Sequence, residues 1–111
     1  MAHATLDGSA ITDWESFHTV CAQEFGFPDF YGRNLDAWID CMSYIDMGDG
    51  MCRFVLQPQE ILTIEITASD TFRRQAPNIL ASLAELVEHV NDRLVERGDT
   101  QRLCLVLSPN R

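Results

Sequence analysis

The stretch FGFPDFYGRNLDAWIDCMSY, residues 25–44, decides how this chain is read. Its first part is a Gly and Pro turn carrying aromatics, and its second part is a short amphipathic helix. At 3.6 residues per turn, Leu35, Trp38 and Met42 line one stripe, the spacing of a core-facing side. Asp36 and Asp40 are four residues apart, so they stand one above the other on a different face, with Ser43 beside them. Two like charges at that spacing cost an isolated helix a few tenths of a kcal/mol. No Lys or Arg lies one turn away within the helix to compensate. A charge kept under those conditions points to a partner, and the competing reading is a solvated helix face.

Before this stretch, Ala2 to Leu6 reads as a strand ended by the turn signal Asp7-Gly8. Thr12 and Glu15 have the spacing of a capping box, so a helix is expected from there, with Phe17, Val20 and Cys21 on its inner face. Gly26 stops that helix and Pro28 prevents its resumption. Asn34 is placed to cap the second helix, which should run to about Ser43. IDMGDGM, residues 45–51, is an acidic, Gly-rich loop.

Further on, Cys52 to Leu56 is an apolar run of strand length ended by Pro58. Residues 61–66 alternate, with Leu62, Ile64 and Ile66 against Thr63 and Glu65, which favours one extra strand at an edge. Ser69-Asp70 opens a short helical turn. Pro77 suits the first turn of the longest helix, whose core stripe is Leu80, Leu83, Leu86, Val87, Val90 and Leu94. Gly98 closes it, and Leu103 to Leu107 is a strand apolar on both faces. Such strands imply a mainly parallel sheet covered by helices. The expected class is therefore α/β, in a single domain over residues 1–111.

The net charge is −9. Residues 1–52 hold nine acids and one base, Arg33, for −8, whereas residues 53–111 hold eight acids and seven arginines. A field of that sign on one side repels nucleic acid and anionic membrane and attracts a basic protein. The opening MAHATLDGSAITDW lacks the basic region and apolar core of a signal peptide, and no apolar run has the length of a membrane span. A cytoplasmic location is the expectation, with Cys21, Cys41, Cys52 and Cys104 reduced and packed as small core residues. His3, His18 and His89 form no ligand motif with them, so neither metal nor cofactor is expected.

Catalysis by Asp36 and Asp40 is disfavoured, because one exposed helix gives both carboxylates similar water and nothing separates their roles. No nucleophile motif, P-loop or GxGxxG is present. The chain does not read as an enzyme. Phe30 and Tyr31, on a turn beside carboxylates, have the character of a binding anchor.

These residues resemble the barstar family of intracellular ribonuclease inhibitors. The resemblance rests on Phe27-Pro28-Asp29-Phe30-Tyr31-Gly32-Arg33-Asn34-Leu35-Asp36-Ala37 followed by Asp40-Cys41, a long and specific pattern. Leu6-Asp7-Gly8 and the closing helix, Gly98 and apolar strand also fit, and residues 44–78 fit least. The resemblance implies a three-layer fold, a three-stranded parallel sheet with helices around it. It also implies that the second helix and the turn before it plug the active site of a basic ribonuclease, either the cell's own secreted enzyme or a nuclease toxin met by an immunity protein.

The family's key carboxylate falls on Asp40, a second acid on Asp36, and an interface Asn on Asn34. Its interface aromatic falls on Phe30, which lacks a hydroxyl, and its helix Thr falls on Ser43. A Trp falls on Ile39, with Trp38 adjacent, and a further Trp falls near Ile45, with Tyr44 as substitute. A later acidic contact falls near Arg93, with Asp92 and Glu96 close by. The expected partner-binding set is thus Phe30, Asn34, Asp36, Ile39, Asp40, Ser43 and Tyr44, on a protein that is monomeric when free. The alternative is an interaction module of the same fold with a partner that is not a nuclease.

Overall fold

The computed structural model describes residues 2–48 and 50–109. The chain runs β1 (Ala2–Asp7), a 3-10 turn (Gly8–Ala10), α1 (Trp14–Phe25), α2 (Leu35–Ser43), β2 (Leu62–Thr67), α3 (Ser69–Gln75), α4 (Pro77–Glu96) and β3 (Leu103–Ser108). The strands form one parallel sheet in the order β1-β2-β3, with Ala4 opposite Ile64 and Ile64 opposite Leu105. The α/β class is as the sequence pattern predicts, and the three-stranded parallel sheet is as the family resemblance implies. Of the expected loop at 45–51, Asp49 lies outside the described residues.

The alternating segment is not an extra strand at an edge. It is β2, the middle of the sheet. Leu62, Ile64 and Ile66 are completely buried while Thr63, Glu65 and Thr67 are half-buried, which is why the segment alternates. The strand order explains this. Each connection steps the same way across the sheet, so right-handed crossovers put every helix on one face. α1 lies against β1, and α4 against β3.

The other face carries His3, Thr5, Glu65, Val106 and Ser108, none of them buried. There the Ser108 hydroxyl donates to Glu65 Oε2 at 2.7 Å, and His3 Nε2 lies 3.0 Å from Glu65 Oε1. Among the described residues, no helix covers this polar face. Cys104 is exposed on the same side, so only Cys21, Cys41 and Cys52 are the packed core thiols expected.

Cys52 to Leu56 forms no strand. Arg53 N donates to Phe25 O at 2.7 Å and Leu56 N to Ile45 O at 2.9 Å, single bonds to the ends of α1 and α2 rather than a ladder. Cys52 and Leu56 are plugs set into the core from a strap, which accounts for the apolar run. The strap's far end is held by Arg102, 3% exposed, whose Nε donates to Glu60 O at 2.6 Å and whose Nη1 reaches Asp99 at 2.9 Å.

The cap of α1 is shifted by one residue from the predicted box. Asp13 accepts from Ser16 N at 2.8 Å, and Ser16 Oγ accepts from Asp13 N at 3.0 Å and from Thr12 N at 2.9 Å. A serine that takes two backbone donors outcompetes Glu15 for the role. Gly26 ends α1 at φ 66°, with its N–H on Ala22 O. The core then closes around Phe17, Phe25, Trp38, Met42 and Phe72, all fully buried, each contributing ~1.5–3 kcal/mol of transfer free energy.

Candidate functional site: the acidic helix and its turn

The turn before α2 is fixed from inside. Tyr31 N donates to Pro28 O at 2.9 Å, and the Tyr31 ring packs on Phe27 with centroids 4.6 Å apart. Its hydroxyl lies 2.7 Å from Nδ1 of His18, a buried ring on α1. Arg33 adopts φ 53° and sends Nη2 back to Glu15 O and Thr19 Oγ1, both at 2.9 Å. With Tyr31 turned in, its neighbour Phe30 is turned out and is 76% exposed. The two aromatics that the sequence left together are therefore split, one as anchor to the core and one as a free apolar surface.

Asn34 starts α2. Its Oδ1 accepts from Ala37 N at 2.8 Å and its Nδ2 donates to Gly32 O at 3.3 Å. A Cβ on Gly32 would stand 3.1 Å from that Nδ2, so the close turn favours glycine there. Trp38, Cys41 and Met42 hold the helix down from beneath. Burial pushes the Cys21 thiol up to about 12, with the Trp38 side chain acting against that shift. The capped, bedded helix presents Asp36 and Asp40 in one orientation.

Neither carboxylate is uncompensated, contrary to what the helix alone suggests. Asp36 lies in the first turn, where the helix dipole favours an anion. Asp40 accepts from Arg93 Nη1 on α4 at 2.7 Å, with the two side chains 57% and 46% exposed. Arg93 sits 53 positions away in sequence, and no local spacing announces it. Asp40 borders a hollow of about 180 Å³ shared with Phe30, Tyr31 and Met51. Its partner Arg93 lines a groove of about 410 Å³ between α2 and α4, with Leu35, Asp36, Ile39, Glu85 and His89. The carboxylate thus stands on a ridge with a concavity on either side.

Leu35 is 38% exposed and belongs to that groove, not to the core stripe in which the sequence placed it. It occupies the first residue of α2, above Ile39, on the flank facing α4. Ile39 is half-buried, and Tyr44 is 39% exposed at the end of the helix. Ser43 is different. It is 1% exposed and its hydroxyl donates to Ile39 O at 2.6 Å, so it faces inward and cannot reach a partner. Asp92 and Glu96 are exposed on α4. The residues that the sequence did not single out are Leu35 as surface, Glu85, His89 and Met51; Glu85, His89 and Arg93 recur every fourth position along α4, a stripe visible only once α4 is known to lie beside α2.

Fold and site together define a small α/β domain that holds out one acidic helix beside an exposed aromatic turn. The chain belongs to the barstar family: the family model described as Barstar (barnase inhibitor) matches residues 1–106. It is also similar to a Bacillus subtilis (strain 168) protein described as "Putative ribonuclease inhibitor YrdF", with 29% identity over 94 residues covering 83% of this chain and 92% of that protein.

Proposed function

We propose that this chain inhibits a basic ribonuclease, a secreted enzyme of its own cell or a delivered toxin, by seating α2 and the preceding turn over the nuclease active site. The observation that carries the reading is Asp40, a solvent-facing carboxylate on a helix whose start and bed are both fixed. Membership of the barstar family supports it, as does the description of the Bacillus subtilis relative.

A ribonuclease grips the phosphate of its substrate with Arg, Lys and His. A carboxylate offered in that position takes the same charge-assisted hydrogen bonds in place of the phosphate. Asp36 adds a second charge, and the acidic half of the chain steers the encounter. Phe30 supplies an apolar anchor, with Ile39 and Tyr44 on the flanks. Asn34 acts chiefly by capping, since both ends of its amide are engaged. The role is binding rather than catalysis and requires no cofactor, and we place the free protein in the cytoplasm as a monomer.

The second reading is an interaction module for a partner that is not a nuclease. It is favoured by the cation that Asp40 already holds and by the missing hydroxyl on Phe30. Titration of a purified basic bacterial ribonuclease with the protein, following RNA cleavage, separates the two. Inhibition that saturates near one equivalent and is lost in Asp40→Ala supports the inhibitor. Undiminished cleavage at large excess favours the module.

A further inference from the structure

We infer that Arg93 is an internal competitor for Asp40, a specificity determinant that makes the acidic site respond to clustered cations and ignore single ones; this rests on the inhibitor reading of α2 given above. In the free chain Arg93 Nη1 already donates to Asp40 Oδ1 at 2.7 Å from a neighbouring helix. An incoming cation therefore meets a carboxylate that has a partner and, beside it, a guanidinium of its own sign.

Two roles for such an arginine predict opposite results. As a positioning residue it would hold the carboxylate in place, and its loss would weaken binding. As a competitor it would withhold the carboxylate, and its loss would strengthen binding. The geometry favours competition. Asp40 has only two side-chain torsions and sits on a helix already fixed by its cap and its buried face, so little orientational freedom is left for Arg93 to remove. Both side chains are about half exposed, which keeps the pair weak enough to open.

A single lysine from a chance encounter gains little over the contact already made. An active site with several converging cations exceeds it, because a carboxylate has acceptor capacity on both oxygens for more than one donor. Selectivity of this kind comes from a repulsive element set beside the attractive one. Arg93 also adds a positive charge to an otherwise acidic groove carrying Asp36 and Glu85, so it weakens the steering field where that field matters most.

The test uses the full chain as parent, Arg93→Gln, Arg93→Lys, Asp40→Asn and the Arg93→Gln/Asp40→Asn double variant. Each is titrated with a hexa-arginine peptide and, separately, with a purified basic bacterial ribonuclease. Competition predicts that Arg93→Gln binds the peptide about two- to fivefold more tightly, the worth of an exposed pair, while Arg93→Lys stays near the parent. The gain should vanish once Asp40 is also replaced, and thermal midpoints should stay within a few degrees throughout. Equal or weaker peptide binding by Arg93→Gln overturns the inference, and so does a gain that persists without Asp40. The ribonuclease arm reads the inhibitor proposal independently. If parent and Asp40→Asn both leave the nuclease unbound, that proposal fails, while the peptide arm still decides the role of Arg93.

Discussion

Nδ1 of His18 and the hydroxyl of Tyr31 lie 2.7 Å apart in the interior, joining α1 to the turn that exposes Phe30. Burial holds the His18 ring below its ordinary value of 6.5, reinforced by the nearby Arg33 charge. Burial raises the Tyr31 hydroxyl well above its ordinary 10.0, reinforced by Cys21 and Cys41. Both groups are neutral in the folded protein.

The sign of the pH dependence follows. A base with a depressed folded pKa binds its proton more readily when unfolded, so its stabilising effect is complete above 6.5 and is lost as pH falls through that value toward the folded one. Tyr31 behaves oppositely, stabilising below 10.0 and failing above it, and the buried Cys21 thiol adds a loss that begins above its ordinary 9.0. Thermal midpoints recorded across pH should form a plateau with both shoulders. His18→Gln should flatten the acid shoulder just below 6.5. A shoulder left unchanged in that variant would show that some other group sets it.

Arg102 is the rivet of the strap that the sequence mistook for a strand. It donates to Glu60 O and Gln57 O and pairs with Asp99 while almost wholly buried. Arg102→Leu takes the guanidinium donor from Glu60 O, a cost of ~1–3 kcal/mol if that carbonyl stays dry, whereas Gln57 O keeps the Glu60 N–H at 2.9 Å. The expected outcome is a lower thermal midpoint together with faster cutting near residues 57–60 by a broad-specificity protease. An unchanged cleavage pattern would mean that Cys52 and Leu56 alone hold the strap.

The cysteines separate by exposure. Cys21, Cys41 and Cys52 are buried, and burial raises the thiols of Cys21 and Cys52, whereas Cys104 is exposed on β3. Under native conditions a thiol reagent should label one site quickly and three only as fast as the protein opens, since reactivity requires an accessible thiolate. Trapping in lysed cells should recover all four thiols reduced. A disulfide in most molecules would contradict both the packing and the proposed compartment.

What could be read in the sequence was local. The Asn34 cap, the Gly26 stop, Pro77 at the head of α4 and the stripe Leu83, Leu86, Val87, Val90 all depend on residues within a few positions of one another. What could not be read depended on distant partners. The alternation of Leu62 to Ile66 marked a half-covered strand correctly, but nothing nearby says that β1 and β3 flank it. The apolar Cys52 to Leu56 looked like a strand because plugs and ladders use the same side chains. In the site, Asp36 and Asp40 were legible from their spacing. Arg93 was not, because its place beside Asp40 follows from the packing of α4 on α2.

Asp40 carries the sharpest prediction. If its carboxylate replaces a phosphate in a nuclease active site, Asp40→Ala leaves the nuclease's cations desolvated and unpaired, and breaking such a buried pair costs ~3–5 kcal/mol of affinity. The fold should barely respond. The pair lost with Arg93 is about half exposed and worth ~0–1 kcal/mol, and the relief of repulsion from Asp36 one turn away offsets part of it. The control is Leu83→Ala, fully buried on α4, which should lower stability by ~2–5 kcal/mol. Leu35→Ala belongs with Asp40 and not with the control, because Leu35 lines the groove at 38% exposure. Its replacement should weaken partner binding more than it lowers the thermal midpoint. The measurement pairs thermal midpoint with ribonuclease inhibition for all three variants. Inhibition by Asp40→Ala equal to the parent's would remove the phosphate-mimic mechanism and leave the groove, with Leu35 and Ile39, as the part of this surface that a partner reads.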